Sequence, residues 1–81
     1  MRKSVHSTRY RRLLQLIVEA RLAAGLTQSE VAAKLRRSQS YVAKVEGSER
    51  RLDVLEFVDL AAAIGADPAQ LLSVWVNASR R

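Results

Sequence analysis

Apolar residues recur along this chain at helical spacing, and nowhere is a two-residue alternation sustained. The first such run predicts a helix from about Ser7 or Thr8 to Ala24, with Tyr10, Leu13, Leu14, Ile17, Ala20, Arg21 and Ala24 on one stripe. Gly25 stands where the chain should leave that helix, and Leu26 should tuck under the next one. Thr27 with Glu30 forms a capping box, and Val31, Ala32 and Leu35 then share one face of a short second helix. Ser38 caps a third, whose inward face is Val42 and Val45 and which Gly47 closes. Asp53 with Glu56 opens a fourth that runs to Ile64, with Val54, Phe57, Val58, Leu60, Ala61 and Ile64 inward and Gly65 at its end. Asp67-Pro68-Ala69-Gln70 starts a fifth, fraying near Asn77. The expected fold is all-α, a five-helix domain.

The second and third helices carry the clearest functional signal. Only Arg36 and Arg37 separate them, so they must meet at a steep angle, and Ala32 is small where they cross. The third helix turns Gln39, Ser40, Tyr41, Ala43 and Lys44 outward. Such a pair suits the major groove of DNA, where Gln can bind adenine bidentately and Lys can donate to guanine.

Over Gln28, Ala32, Leu35, Ser38-Gln39-Ser40, Val42, Val45, Glu46 and Gly47 the sequence resembles the Cro/C1-type (XRE family), phage-repressor-like helix-turn-helix domains. The likeness continues through GSERRLDVLEF and LAAAIGADPAQLL and so spans roughly residues 10 to 72. It implies a five-helix, phage-repressor-like DNA-binding domain. Gln39, Ser40 and Lys44 correspond to base-contacting positions, with Tyr41 beside them able to stack or to bond a phosphate. Gln28 and Ser38 correspond to positions near the phosphate backbone, and Arg50 and Arg51 lie in the loop that runs beside a phosphate. Arg36, Arg37 and Arg9 are the further expected phosphate contacts. Arg21, costly on a buried stripe unless paired, is implied to meet Glu46; a snorkelling surface arginine is the alternative. Two residues depart from the family pattern. Arg36 stands where glycine is usual, and Arg37 where an apolar residue is common. A left-handed Arg36 would cost about 1 kcal/mol.

Charge sharpens this picture. The 81 residues carry a net charge of +6, unevenly spread. Residues 1 to 52 hold 12 Lys/Arg against 4 acids, whereas 53 to 79 hold four acids and no base. Residues 1 to 9 read as a flexible basic arm, 10 to 77 as the domain, and 78 to 81 as a basic tail. A basic end of this kind fits a polyanion. The absence of cysteine excludes disulfides and cysteine-ligated zinc, and a reducing cytoplasm is the natural setting. No apolar run after Met1-Arg2-Lys3 suggests a signal peptide or membrane span, and the arm lacks an apolar face for a membrane surface. His6, the one histidine, has no partners for metal binding or catalysis. Phosphate loops, carboxylate clusters and nucleophile–base pairs are all missing, so no enzyme, cofactor or small-molecule ligand is expected.

The expectation is therefore a sequence-specific, double-stranded DNA-binding transcriptional regulator, most simply a repressor. A domain of this size reads about a half-site, so a homodimer on a pseudo-palindromic operator is expected. The last helix carries Leu71, Leu72, Val74, Trp75 and Val76 within six residues, more than one face can turn toward a small core. Leu71 and Trp75 should cover the core, while Leu72 and Val76 lie about 100° away. Leu72, Trp75 and Val76 are the expected dimer contacts, and burial of all five within one chain is the alternative. Leu16, Val18 and Leu22 add apolar surface to the first helix, expected to pack on the last helix, with a subunit contact as the alternative. The rival from another class is a protein-binding module on the same fold, with a toxin or another regulator as its partner.

Overall fold

The computed structural model describes residues 7–79, and five helices form within them: α1 (Thr8–Ala23), α2 (Gln28–Leu35), α3 (Gln39–Glu46), α4 (Val54–Ile64) and α5 (Pro68–Ser79). Most of the expected arm, His6 included, and Arg80–Arg81 of the tail lie outside those residues. The last two arm residues, Thr8 and Arg9, already belong to α1, because Ser7 caps it by accepting from the Tyr10 amide at 3.1 Å.

Each helix starts where short-range chemistry dictates. Thr27 and Glu30 exchange bonds of 2.8 and 3.0 Å across the first turn of α2, and Asp53 and Glu56 do the same at α4 with 3.0 and 2.7 Å. The Ser38 hydroxyl accepts from the Tyr41 amide at 3.1 Å, and Asp67 accepts from the Ala69 amide at 2.9 Å just ahead of Pro68. These bonds satisfy amides that have no partner inside the helix.

The first four helices finish alike, on a residue with positive φ whose amide and its successor's bond back to the last turn. Glycine fills that role at Gly25 and Gly65. At the other two ends it is Arg36, with φ 57°, and Ser48, with φ 63°. Gly47 itself stays at φ −82°, so the left-handed step after α3 falls one residue later than the glycine. Arg36 thus adopts the costly conformation that the sequence raises. Arg36→Gly is expected to raise stability by about 0.5–1 kcal/mol, seen as a higher urea midpoint with an unchanged slope. A lower midpoint would show that the arginine side chain contributes more than the backbone loses.

The core gathers Leu13, Leu14 and Ile17 of α1, Val31 and Ala32 of α2, Val42 and Val45 of α3, and Phe57, Leu60 and Ile64 of α4. Ala32 is buried in this core, and α2 packs against α3. Gly65 to Asp67 turns α5 by 112° from α4, and Leu71 and Trp75 then close over the core. The expected inward face of α4 needs correction. Val54, 80% exposed, and Val58 point to solvent, and so does Leu55. The buried stripe is Phe57, Leu60, Ala61 and Ile64; Val58 sits about 100° round from Phe57, and Val54 lies in a first turn with too little packed on it. Ala24 is also exposed, since the chain is already leaving α1 there, and Leu22 stays exposed rather than packing on α5.

Candidate nucleic-acid interface

The α2–α3 pair is seated by an ion pair beneath it. Arg21, on the core side of α1, meets Glu46 at the end of α3 through Nε–Oε2 at 2.6 Å and Nη2–Oε1 at 3.0 Å. A third guanidinium bond, 2.8 Å, reaches the Leu26 carbonyl in the turn before α2. The two side chains are only 11% and 8% exposed. One buried pair therefore ties α1, the α1–α2 turn and α3 together.

Glu46 carries the linkage outward. Its Oε1 also accepts from Gln28 Nε2 at 2.8 Å, and Gln28 Oε1 accepts from Gln39 Nε2 at 2.7 Å. Gln28 is therefore held between the buried carboxylate and the exposed first residue of α3. That bond consumes one Gln39 N–H and fixes which way the amide faces. Its second N–H and its carbonyl remain for a partner.

Beside Gln39, the residues Ser38, Ser40 and Lys44 are exposed, as are Arg36, Arg37 and Arg51. Tyr41 is half-buried and carries two guanidiniums over its ring, with Arg37 at 4.2 Å and Arg50 at 4.9 Å from the ring centre. Both arginines reach the same carboxylate. Arg50 binds Glu56 through two bonds of 3.0 and 2.8 Å, and Arg37 approaches it at 3.6 Å. The Arg50 bonds, and then the Asp53 amide, hold the Glu56 carboxyl below its ordinary range. Burial first, and Glu56 second, raise the Tyr41 hydroxyl.

The loop after α3 is anchored from α1. The Tyr10 hydroxyl donates to the Arg50 carbonyl at 3.2 Å and accepts from the Leu52 amide at 3.0 Å. Arg9 stands apart from this cluster. Its guanidinium lies 5.0 Å from the Trp75 ring centre, and its carbonyl accepts from Trp75 Nε1 at 2.7 Å. Arg9 and Arg51 line one open groove with Tyr10 and Trp75. Trp75 packs, partly buried, against the core as expected, and Leu72 and Val76 are exposed apolar side chains on the same helix.

A family model described as a helix-turn-helix domain matches residues 12–73. A solved structure, described as an XRE-family like protein from Pseudomonas syringae pv. tomato str. DC3000, is 54% identical, with 91% of this chain and 90% of that one aligned at a TM-score of 0.86. The chain belongs to the XRE family of helix-turn-helix proteins. No curated protein matches it. Within this XRE-type domain, α2 and α3 are the two motif helices and Arg36–Arg37 the turn between them. DNA-binding regulators use such motifs by laying the second helix in the major groove. Sequence reasoning misses two residues that shape this surface. Glu56 reads only as half of a capping box and Tyr10 only as core, because each acts on a segment remote in sequence.

Proposed function

We propose that this domain binds double-stranded DNA sequence-specifically, with α3 in the major groove, and regulates transcription, most simply as a repressor. The observation that carries the reading is the split character of α3. Val42 and Val45 are fully buried, while Gln39, Ser40 and Lys44 are exposed with the Gln39 amide already braced by Gln28. A braced amide that keeps one donor and one acceptor matches the N7 and N6 edge of adenine, and Lys44 matches the acceptors of guanine. Ser38, Arg36, Arg37, Arg50 and Arg51 flank that surface as phosphate contacts. The greatest extent of the domain is 34 Å, about one helical turn of DNA, so one copy covers roughly a half-site. A homodimer on a pseudo-palindromic site completes the reading.

Selection of bound sequences from a random duplex pool tests it directly. A consensus with two-fold symmetry is expected; recovery of no enriched sequence overturns it. Lys44→Ala should then change the preferred base at one half-site position, at a cost of about 1–3 kcal/mol. A uniform loss across all sequences would make Lys44 a phosphate contact instead.

A second reading rests on the apolar side chains of α4. Val54 and Leu55 stand exposed beside the arginine loop, as a protein-binding module for a toxin or another regulator would require. Titration with random duplex DNA at two salt concentrations separates the readings. Binding that weakens steeply with salt supports DNA, and no binding supports a protein partner.

A further inference from the structure

We infer that Glu56, an acid on a helix outside the helix-turn-helix pair, is a positioning residue for DNA binding: it holds Arg37, Tyr41 and Arg50 as one ready-made phosphate-binding stack. The inference rests on the DNA-binding reading and deepens it. Glu56 is itself tethered, because its Oε1 accepts from the Asp53 amide at 3.0 Å as part of the capping box that starts α4. On this fixed post Arg50 docks with both terminal nitrogens, and Arg37 leans in at 3.6 Å. The two guanidiniums then close on Tyr41 of α3. Their side chains nonetheless remain 46% and 38% exposed, so N–H groups are left over for an oxygen ligand. Two arginines stacked over one ring and paired with one carboxylate before a ligand arrives form a donor array suited to a phosphate.

A negative charge beside a DNA surface would ordinarily weaken binding, so magnitude decides the sign. For a phosphate roughly 8 Å from this mostly covered carboxylate, repulsion at the effective dielectric of a protein surface and in physiological salt lowers affinity about 3- to 4-fold. Leaving a long side chain to be ordered at binding lowers it roughly 2- to 12-fold, and two arginines are at stake. Holding the arginines in place outweighs the repulsion.

Glu56→Gln is the informative variant, since glutamine keeps the capping box yet lacks the charge that holds the arginines. Its affinity for a random-sequence duplex should fall about 3- to 10-fold at unchanged helicity and melting cooperativity. The slope of log affinity against log salt, measured from roughly 50 to 200 mM, should become shallower by about one. A merely structural role would leave that slope alone. Glu30→Gln makes the same change in the other capping box, whose glutamate bonds to Thr27 alone among the described residues, and should move affinity by less than about twofold. In an Arg50→Ala background the effect of Glu56→Gln should shrink, because half of what it positions is gone. Tighter binding with a steeper slope would overturn the inference by showing that Glu56 masks the arginines. So would equal losses from both glutamate variants, which make the effect one of capping alone. A wild-type protein that binds no duplex at any salt overturns the DNA reading and this inference with it.

Discussion

Glu46→Ala is expected to destabilise the domain by about 3–5 kcal/mol, the cost of stranding a buried charge. Arg21 would keep only its bond to the Leu26 carbonyl while its Nε and Nη2 lose their acceptors at 11% side-chain exposure. A chain of 81 residues has roughly 4–12 kcal/mol of total stability, so this one substitution removes a large share of it. Glu46→Gln retains one acceptor and should cost less. Arg21→Met with Glu46→Leu, which leaves no charge behind, should recover most of the stability. Urea unfolding of the four proteins is the measurement. Single-variant losses under about 1 kcal/mol would mean that water reaches the pair and that it behaves as a surface bridge. Glu46→Gln carries a second consequence. Gln28 loses the carboxylate that orients it, so Gln39 loses its brace, and under the proposed DNA-binding function base preference should relax at the position assigned to Gln39 even where the protein stays folded.

Those helix starts were legible because they depend on residues three apart. Thr27–Glu30, Ser38, Asp53–Glu56 and Asp67 each place an acceptor next to amides that need one, and no distant residue can alter that. The Arg21–Glu46 pair is legible for another reason: a charge in an apolar stripe demands a partner, and the family likeness indicates which one. The α4 face is less legible. Periodicity locates a stripe but not its width, and only the packed neighbours settle that Phe57 is buried while Val58, one residue on, is not. Glu56 marks the limit. Its capping role can be read from spacing, but its hold on Arg37 and Arg50 arises because the start of α4 folds back against the α2–α3 turn. Arg50 illustrates the same limit from the other side, since its place in the loop does not reveal the bidentate bond to Glu56 at the start of the next helix.

Val76→Asp is expected to convert a dimer into a monomer that stays folded, and to lower affinity for a two-fold operator by about 10²- to 10⁴-fold, the factor lost when two linked half-sites become independent. The substitution should be tolerated in the fold, because Val76 is 40% exposed and the core contacts of α5 fall to Leu71 and Trp75. Leu72 precedes Val76 by one helical turn, so the two make a short apolar ridge beside the inward stripe. A two-fold axis sets such a ridge against its own copy, and one new carboxylate per chain would then face another across the axis. That repulsion, with the burial of unpaired charge, is what should part the subunits. Val74→Asp supplies the comparison. It places the same charge on the same helix, but about 200° round from Leu72, where Val74 lines a groove with Arg12 and Asn77. It should leave the dimer intact and operator affinity nearly unchanged. Sedimentation at micromolar concentration, paired with binding to the selected palindrome and to a single half-site, checks each step. Half-site affinity should be equal in wild type and Val76→Asp, since the α3 surface is untouched. A wild type that sediments as a monomer, with palindrome affinity that Val76→Asp does not change, would place all of α5 in the service of its own core and leave dimerisation to another face.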